Sequence, residues 1–368
     1  MTTFQNIDWP NEATANCAFV LLVSLLLAIP VALANRTVDV SKWENRRLAP
    51  LPALCKQGHF NRAFFRQADA WINDRTFGRK NAVSIRSGFL HYLDGRLESP
   101  EAYETPSGWM FLHRATRESF GISNLTSNEI KRVQEHIAKQ SELWSCNGGG
   151  VAVFVAPNKS TIYEEFASFR YSKRKRSSVD RLIELLSSDG RFDVVWPRDT
   201  LELSKPDGIL YYKDDTHWTG FGAYVGFKAF LRKLGIVEKP IPADLWVEVS
   251  ESDEINRGDL ARMLGLPSTN ERYRMPKTVM SGTKWLDDGV VYDNPNALDS
   301  RSVLVVGDSF REPFFPWVAS SFRRSLCFSI HNYDAEKAMK FHPQIIVWLI
   351  VERNVKSLPA FDFFAGRP

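Results

Sequence analysis

The sequence lacks the features that mark several large classes of protein. Its 368 residues include only 4 cysteines, and no pair has C-x-x-C spacing, which argues against a disulfide scaffold and a zinc or redox site. The 47 Lys+Arg nearly balance the 43 Asp+Glu, so the net charge of +4 gives no reason to expect nucleic-acid binding. No glycine-rich loop suited to a phosphate occurs. We therefore expect neither a metal nor an organic cofactor.

The composition is that of a folded chain with a substantial core. Hydrophobic residues make up 44% of the sequence and charged residues 24%, which argues against disorder and against a multi-span membrane protein. The length suits one large domain or two domains of roughly 150 residues each.

One uncharged apolar run lies near the N-terminus. It covers residues 17–34 (CAFVLLVSLLLAIPVALA), close to the ~20 residues that a membrane-spanning helix needs. The run ends in the sequence ALA, which resembles a signal-peptidase site, so a cleaved signal peptide is one alternative. A buried core helix is the other, but the run has no polar face. Because residues 1–16 form a short tail without Lys or Arg, we favour an uncleaved membrane anchor, followed by a connector at 35–59.

Beyond residue 60, apolar strands alternate with amphipathic helices. Continuous apolar runs predict buried parallel strands at 151–156, 302–306 and 344–351. Helical spacing of apolar residues predicts helices over 126–143, 179–187 and 219–234. The alternation predicts an α/β domain at 60–368 with a mainly parallel sheet. Residues 240–300 are polar and turn-rich, and we interpret them as an insertion that covers one edge of this domain.

A candidate nucleophile follows one of these strands. Ser309 lies in Val305-Val306-Gly307-Asp308-Ser309-Phe310, directly after the strand at 302–306 and before a predicted helix. Ligands bind at the carboxyl ends of parallel strands, and backbone N–H groups at a helix N-terminus can stabilise an oxyanion there. A serine hydroxyl reacts only when a neighbouring base takes its proton.

The candidate base is His217, because histidine exchanges a proton near neutral pH. Asp215 lies two positions earlier, and residues i and i+2 of an extended segment face the same side. Asp215 can therefore orient the imidazole, with Asp214 as the second choice. The aromatic neighbours Tyr212 and Trp218 are expected to pack around the pair and limit access of water.

Each of these segments also fits a plain structural role. The sequence Gly-Asp-Ser is common in loop turns, and a lone histidine such as His217 is often a core residue. Asp214 and Asp215 can cap the helix that is predicted to begin near Thr219. The combination of both segments in one α/β chain favours the catalytic interpretation.

The chain resembles the SGNH-hydrolase-like AlgJ/AlgX group, the alginate-type polysaccharide O-acetyltransferases. The resemblance extends from about residue 44 to 353 and rests first on Asp215-Thr-His217-Trp218 together with Gly307-Asp-Ser309-Phe310. Further segments are similar to blocks of that family: Glu44–Pro52 (ENRRLAPLP), Trp71–Arg75 (WINDR) with Phe77 and Arg79, Gly108–Leu112 (GWMFL), Pro157–Lys159 (PNK) with Tyr163, and Gly258–Leu260 (GDL) with Met263 and Leu264.

The resemblance implies an SGNH-hydrolase-like three-layer fold. In this family the block with the serine follows the block with the histidine, a permuted order compared with ordinary SGNH esterases, and this chain has that late-serine order. By resemblance, Ser309 is the nucleophile, His217 the base and Asp215 the orienting acid. The backbone N–H of Ser309 is the default candidate for binding the oxyanion. The weaker candidates for binding the oxyanion or the substrate are Asn158, Lys159, Tyr212, Trp218 and Arg311.

The resemblance also implies a function and its partners. We expect an O-acetyltransferase that carries acetyl on serine and transfers it to hydroxyls of an exopolysaccharide, with a membrane-embedded acyltransferase as acetyl donor. A polysaccharide O-acetyl esterase with the same triad and a non-catalytic glycan-binding assembly protein are the alternatives. Family members lie on the periplasmic side of the inner membrane, either anchored or secreted after cleavage. Basic residues after the apolar run favour a cytoplasmic body, but long domains translocate largely regardless of charge.

Overall fold

A computed structural model provides the structure of the chain. It describes residues 46–56, 58–75, 97–145, 148–172, 176–237, 243–250, 258–268, 272–277, 284–286 and 291–365, and the isolated positions 17, 20, 21, 24, 40, 41, 85, 88, 89 and 241. The chain divides into two units, residues 1–93 and residues 94–368. The predicted start of the α/β domain at residue 60 falls inside the first unit.

The predicted membrane anchor lies almost wholly outside the described residues. Positions 17, 20, 21 and 24 of it are described, and all four are helical. Among the helices that the structure describes, none combines the length and the apolar character needed to cross a membrane. The anchor therefore stays a prediction.

The first unit has short elements. In chain order these are β1 (Val40–Ser41), β2 (Arg46–Arg47), β3 (Cys55–Lys56), β4 (His59–Phe60) and α1 (Phe64–Arg75). The strands pair as two small antiparallel ribbons, β1 with β2 and β3 with β4. Arg75 at the end of α1 is buried and donates to the carbonyl of Ala49 at 2.5 Å, which fastens the helix to the preceding loop.

The second unit is built of alternating strands and helices. Its strands are β5 (Ala102–Glu104), β6 (Met110–Leu112), β7 (Gly150–Ala156), β8 (Asp193–Val195), β9 (Trp246–Ser250), β10 (Arg272–Pro276), β11 (Lys284–Leu286), β12 (Val291–Asp293), β13 (Asp299–Gly307), β14 (Phe322–Ser329) and β15 (Ile345–Val351). Its α-helices are α2 (His113–Ser119), α3 (Ser127–Ser145), α4 (Lys159–Ile162), α5 (Glu164–Ala167), α6 (Ser178–Ser187), α7 (Arg198–Leu203), α8 (Gly220–Lys233), α9 (Asp259–Leu264), α10 (Arg311–Ser321) and α11 (Ala335–Phe341). Three 3₁₀ segments are described at Lys205–Asp207, Ala243–Leu245 and Glu352–Ala360.

Seven strands form the central sheet in the order β11-β12-β14-β13-β15-β7-β8. The five strands from β14 to β8 run parallel, whereas β12 pairs antiparallel with β14 and β11 antiparallel with β12. The sheet is therefore mixed: most of its strands are parallel, as predicted, whereas the antiparallel pair at one edge was not predicted. The two antiparallel strands come from short segments inside the predicted insertion at 240–300, where no continuous apolar run marks a strand.

Side chains alternate between the two faces of the parallel strands and form two cores. In β15, Val347 and Leu349 pack on one side with α8 and α10, and Ile346 and Trp348 pack on the other with α3, α6 and α11. This alternation explains why the strand sequences are continuously apolar, since both faces are covered by helices. The predicted three-layer α/β arrangement is thereby confirmed.

Gly307, the last residue of β13, has no room for a side chain. A Cβ at this position would lie 2.5 Å from the carbonyl oxygen of Leu349 in β15. We expect Gly307→Ala to lower the free energy of unfolding by about 1–3 kcal/mol, because the strand must shift to relieve the overlap. Urea unfolding measures this change.

Gly150 at the start of β7 is the matched control for this substitution. A Cβ there meets no atom within 4 Å, so Gly150→Ala should change stability by less than about 0.5 kcal/mol. Equal losses in the two variants would contradict the packing argument.

Candidate active site

Polar residues follow three neighbouring strands at their carboxyl ends. Strand β13 leads to Asp308 and Ser309, and β15 leads to Glu352 and Arg353. Strand β7 leads through Pro157 to Asn158 and Lys159. Because these strands are parallel and adjacent in the order β13-β15-β7, the three segments meet at one edge of the sheet.

Ser309, His217 and Asp215 form one continuous hydrogen-bonded line. The Oγ of Ser309 lies 2.6 Å from Nε2 of His217, and Nδ1 of His217 lies 2.6 Å from Oδ1 of Asp215. Ser309 is exposed, the His217 side chain is 18% exposed and Asp215 is buried. The line therefore runs from solvent into the protein, which lets the serine meet a substrate while the acid stays shielded.

A short loop between α7 and α8 holds the histidine and the acid. An isolated β-bridge joins Tyr211 to Trp218, and the Tyr212 N–H donates to the carbonyl of His217 at 3.3 Å. The backbone N–H of His217 also donates to Oδ1 of Asp215 at 2.9 Å. One carboxylate oxygen thus fixes both the backbone and the ring of His217.

Lys159 supports this loop from behind. Its buried Nζ donates to the carbonyl oxygens of Tyr212, Lys213 and Asp215 at 3.0, 3.0 and 2.8 Å. The ammonium also lies 5.1 Å from the centre of the Phe111 ring. Lys159 therefore holds the backbone of the loop in the structure. The sequence had marked it as a candidate for oxyanion or substrate binding.

The turn that presents Ser309 is fixed by Asp308. Its two carboxylate oxygens accept the backbone N–H groups of Phe310 at 3.1 Å and of Val351 at 2.9 Å, and the latter bond ties the turn to β15. Arg311 donates to the carbonyl oxygen of Asp308 at 3.0 Å, so this candidate braces the turn. Among the described residues, the backbone N–H of Ser309 donates to no other group, so it remains available to an oxyanion.

Both aromatic candidates, Tyr212 and Trp218, are fully buried. The Tyr212 hydroxyl bonds to the hydroxyl of Tyr273 at 2.8 Å. Trp218 donates from Nε1 to the carbonyl of Phe310 at 3.0 Å. These contacts join the loop to its surroundings on both sides of His217, and they leave neither side chain on the surface.

Asn158 belongs to a buried polar network beside the line. Its side chain contacts Ser119 Oγ at 3.3 Å and a guanidinium nitrogen of Arg353 at 3.4 Å. The Asn158 N–H donates to Glu352 at 2.8 Å, and burial raises the pKa of Glu352 to about 7. Arg353 also donates to Thr216 Oγ1 at 3.3 Å, so the network reaches the loop between Asp215 and His217.

Asp259, which the sequence did not mark as a candidate site residue, lies beside Asp215 and His217. The carboxylate of Asp259, at the start of α9, lies 3.9 Å from Nδ1 of His217. Its Oδ1 and Oδ2 accept the N–H of Thr216 at 2.7 Å and the hydroxyl of Thr216 at 2.6 Å. The Gly258-Asp-Leu260 segment was one of the blocks that carried the family resemblance, and this was the signal available in the sequence.

The charges of this cluster shift the proton affinity of each group. Burial lowers the pKa of His217, but Asp215 and Asp259 outweigh it and hold that pKa above its ordinary value of 6.5. Burial disfavours the ionised form of Asp215, yet its hydrogen bond and charge interaction with His217 keep the pKa of Asp215 below its ordinary value. Burial and the neighbouring Asp215 raise the pKa of Asp259.

Asp215, His217 and Asp259 each have one potential metal-ligand atom within 4.8 Å of the others, so the cluster was considered as a metal site. Nδ1 of His217 is already bonded to Asp215 and Nε2 to Ser309. We therefore assign no metal ligand here.

Residues 104–324, more than half of the sequence, match the family described as the SGNH hydrolase-like domain of the acetyltransferase AlgX. The chain belongs to the AlgX family. The resemblance inferred from its motifs is thereby confirmed. A search of curated proteins finds no match to this AlgX-family chain.

Solved structures share the fold of this AlgX-family chain at low sequence identity. Bacillus cereus PatB1 with a sulfonyl adduct is 14% identical with a TM-score of 0.52, and the match covers 74% of this chain and 99% of PatB1. A DHHW family protein from Eubacterium siraeum is 13% identical with a TM-score of 0.51, covering 72% of this chain and 96% of its own. A lower structural similarity is found for the O-acetyltransferase domain of Pseudomonas putida AlgJ, which is 15% identical with a TM-score of 0.42, and the match covers 72% of this chain and 94% of that domain.

Proposed function

We propose that this AlgX-family chain is an O-acetyltransferase that acts through an acetyl-serine intermediate on Ser309. The observation that carries the proposal is the hydrogen-bonded line from Ser309 through His217 to Asp215, with 2.6 Å at each step. Membership of a family described by an acetyltransferase supports acetyl as the transferred group. The exposed position of Ser309 supports a large acceptor, and we propose a hydroxyl of an exopolysaccharide.

The proposed reaction has two half-reactions. In the first, Ser309 Oγ attacks the acetyl carbonyl while His217 Nε2 takes the hydroxyl proton. The Ser309 N–H stabilises the negative oxygen, and the tetrahedral intermediate collapses as the leaving group receives the proton from His217. In the second, His217 removes the proton of a sugar hydroxyl, whose oxygen attacks the acetyl-serine. Collapse transfers acetyl to the sugar and returns the proton to Ser309.

Asp215 keeps the imidazole in the tautomer that this scheme needs. A proton on Nδ1 directed to Asp215 leaves the lone pair of Nε2 free to accept the proton of Ser309. The buried carboxylate also stabilises the imidazolium that forms during both half-reactions.

A polysaccharide O-acetyl esterase is the second candidate. Ser309 is exposed, so water can reach the acetyl-serine as readily as a sugar hydroxyl can. The two functions share the first half-reaction and differ in the acceptor of the second.

We further propose that the chain works on the periplasmic side of the inner membrane, held by the predicted segment at 17–34. Secretion after cleavage of that segment is the alternative. In this position a membrane-embedded acyltransferase would supply the acetyl groups.

Mass spectrometry tests the first half-reaction. The full chain is incubated with 4-nitrophenyl acetate and quenched in acid, and the peptide that contains Ser309 is weighed. We expect an acetyl adduct that is absent in Ser309→Ala and in His217→Ala. Ser329→Ala, at the end of β14, is the matched control and should keep the adduct on Ser309.

The product of the second half-reaction separates the candidates. After polysaccharide is added to the acetylated protein, acetyl recovered on the glycan supports the transferase, whereas quantitative release of free acetate supports the esterase. A protein that forms no adduct and turns over no ester, yet binds glycan equally well as Ser309→Ala, would instead be a non-catalytic binding protein.

The acylation rate should rise with pH. A protonated His217 cannot accept the serine proton, and its pKa lies above the ordinary 6.5. We therefore expect the half-maximal rate above about pH 6.5, with Asp215 still ionised because its pKa lies below its ordinary value. Single-turnover acylation between about pH 5 and pH 9 measures this profile. A midpoint on the acidic side of 6.5 would contradict the charge arrangement around the ring.

A further inference from the structure

Asp259 approaches the active site from a part of the chain that the sequence marks as an insertion. It is buried, and it begins α9 directly after Gly258, whose φ of 77° gives the left-handed turn into the helix. The Asp259 N–H donates to Oδ2 of Asp215 at 3.0 Å. Since Oδ1 of Asp215 holds His217, Asp259 fixes the other half of the orienting carboxylate.

The start of α9 also holds the backbone of the same loop. The N–H groups of Leu260 and Ala261 donate to the carbonyl of Asp214 at 3.1 and 3.0 Å. The Asp259 carboxylate accepts both the N–H and the hydroxyl of Thr216. The segment 214–216 is therefore attached to α9 on either side of Asp215.

We propose that Asp259 is a positioning residue of this site, a second carboxylate that holds the Asp215–His217 pair in place and stabilises the protonated imidazole. The proposal rests on the proposed function for its catalytic meaning. The effect of the buried Asp259 carboxylate on the proton affinity of His217 can be measured without any reaction.

Charged and neutral groups face the imidazole ring of His217 from several elements. Asp215 and Asp259 stabilise the imidazolium, Arg353 opposes it, and Ser309 and the ring of Phe310 are neutral neighbours. Both oxygens of Asp259 accept hydrogen bonds, which is the pattern of an ionised carboxylate. At 3.9 Å from Nδ1, that charge lies close enough to change the proton affinity of His217.

Asp259→Asn removes the charge of this side chain while keeping the fold of the segment. Asparagine keeps the size of the side chain and the backbone N–H that holds Asp215, but it carries no charge. We expect the pKa of His217 to fall by about 1 unit or more, and the acylation midpoint to move to lower pH by the same amount. The maximal acylation rate should fall about tenfold, because the weakened Thr216 contacts let the pair shift.

Proton NMR of the full chain, with labelled histidine, measures the titration directly, and His217→Ala identifies the signal. Asp259→Glu is the rescue variant, since it retains the charge and should hold the His217 midpoint nearer to that of the unchanged protein. Asp299→Asn is the remote control, because its carboxylate pairs with Arg301 at the start of β13.

The His217 titration and the acylation of Ser309 test the role of Asp259 and the proposed function separately. An unchanged His217 midpoint in Asp259→Asn overturns the inference, and so do equal shifts in the Asn and Glu variants. If Ser309 never acylates, the function fails, yet the titration still tests Asp259. If Asp259→Asn does not fold, Asp259→Ser removes the same charge in its place, and an unchanged His217 midpoint in that variant would contradict the proposal.

Discussion

Replacing Lys159 by methionine should nearly abolish acylation of Ser309. Methionine fills a similar volume, but it leaves the carbonyl oxygens of Tyr212, Lys213 and Asp215 without the ammonium that binds them. The Lys213 carbonyl still accepts the N–H of Met110 at 2.9 Å, but the Tyr212 and Asp215 carbonyls lose a buried donor at a cost of about 1–3 kcal/mol each. We therefore expect the variant to lose about 2 kcal/mol of stability or more. A displaced loop should reduce acylation at least ~100-fold, because proton transfer depends on placement within about 1 Å.

Two measurements and one control make this result specific. Urea unfolding gives the loss of stability, and single-turnover acylation of the folded protein gives the loss of rate. Lys205 also lies near an aromatic ring, 5.0 Å from Tyr163, but it pairs with Glu165 at the surface. Lys205→Met should cost less than about 1 kcal/mol and leave the rate unchanged. A folded Lys159→Met protein that acylates normally would refute the role assigned to this lysine.

Asp215→Asn should lower the acylation rate about 10³- to 10⁴-fold. It should also cost about 1–3 kcal/mol of stability, because the amide NH₂ must face the N–H of His217 or of Asp259, both of which donate to the carboxylate. An asparagine amide can present its NH₂ group to His217, which favours the tautomer with the proton on Nε2 and removes the lone pair that Ser309 needs. Loss of the negative charge also lowers the pKa of His217, so the residual activity should reach its midpoint at lower pH. Stopped-flow acylation and thermal unfolding measure the two effects.

The neighbouring Asp214 provides the matched control, and it was the second choice for the orienting acid. In the structure its carboxylate accepts the hydroxyl of Ser268 at 2.6 Å, in a contact away from the imidazole. Asp214→Asn should therefore reduce the rate less than about tenfold. If Asp214→Asn were as inactive as Asp215→Asn, the assignment of the orienting acid would be wrong.

The sequence predicted those parts of the fold that depend on local pattern. The apolar runs at 151–156 and 344–351 became β7 and β15, within one residue at each end, because strands covered on both faces need apolar residues at every position. The proximity of Ser309 and His217, 92 positions apart, was predicted from residue chemistry and the late-serine order, and the structure brings the two side chains together.

The supporting residues could not be predicted in the same way. A lysine after a strand is usually solvated, and the sequence does not reveal that the carbonyls of a loop more than 50 positions away turn towards Lys159. Asp259 lies in a polar, turn-rich segment where no periodic pattern exists, so its contact with Thr216 depends on tertiary structure alone. Burial of Tyr212 and Trp218 likewise depends on neighbours that arrive late in the chain.

The position of β15 in the sheet affects when the candidate active site can form during synthesis of the chain. Lys159 and the loop that it supports belong to the β7 side of the sheet, whereas Ser309 belongs to β13, and β15 lies between these two strands. Strands in a sheet are spaced about 4.8 Å apart, so β7 and β13 acquire their separation only after β15 has paired with both. We expect a nascent or truncated chain that ends before Ile345 to carry every residue of the Ser309–His217–Asp215 line without holding Ser309 and His217 at hydrogen-bond distance. The contact between Ser309 and His217 therefore depends on the pairing of β15 with both of its neighbours.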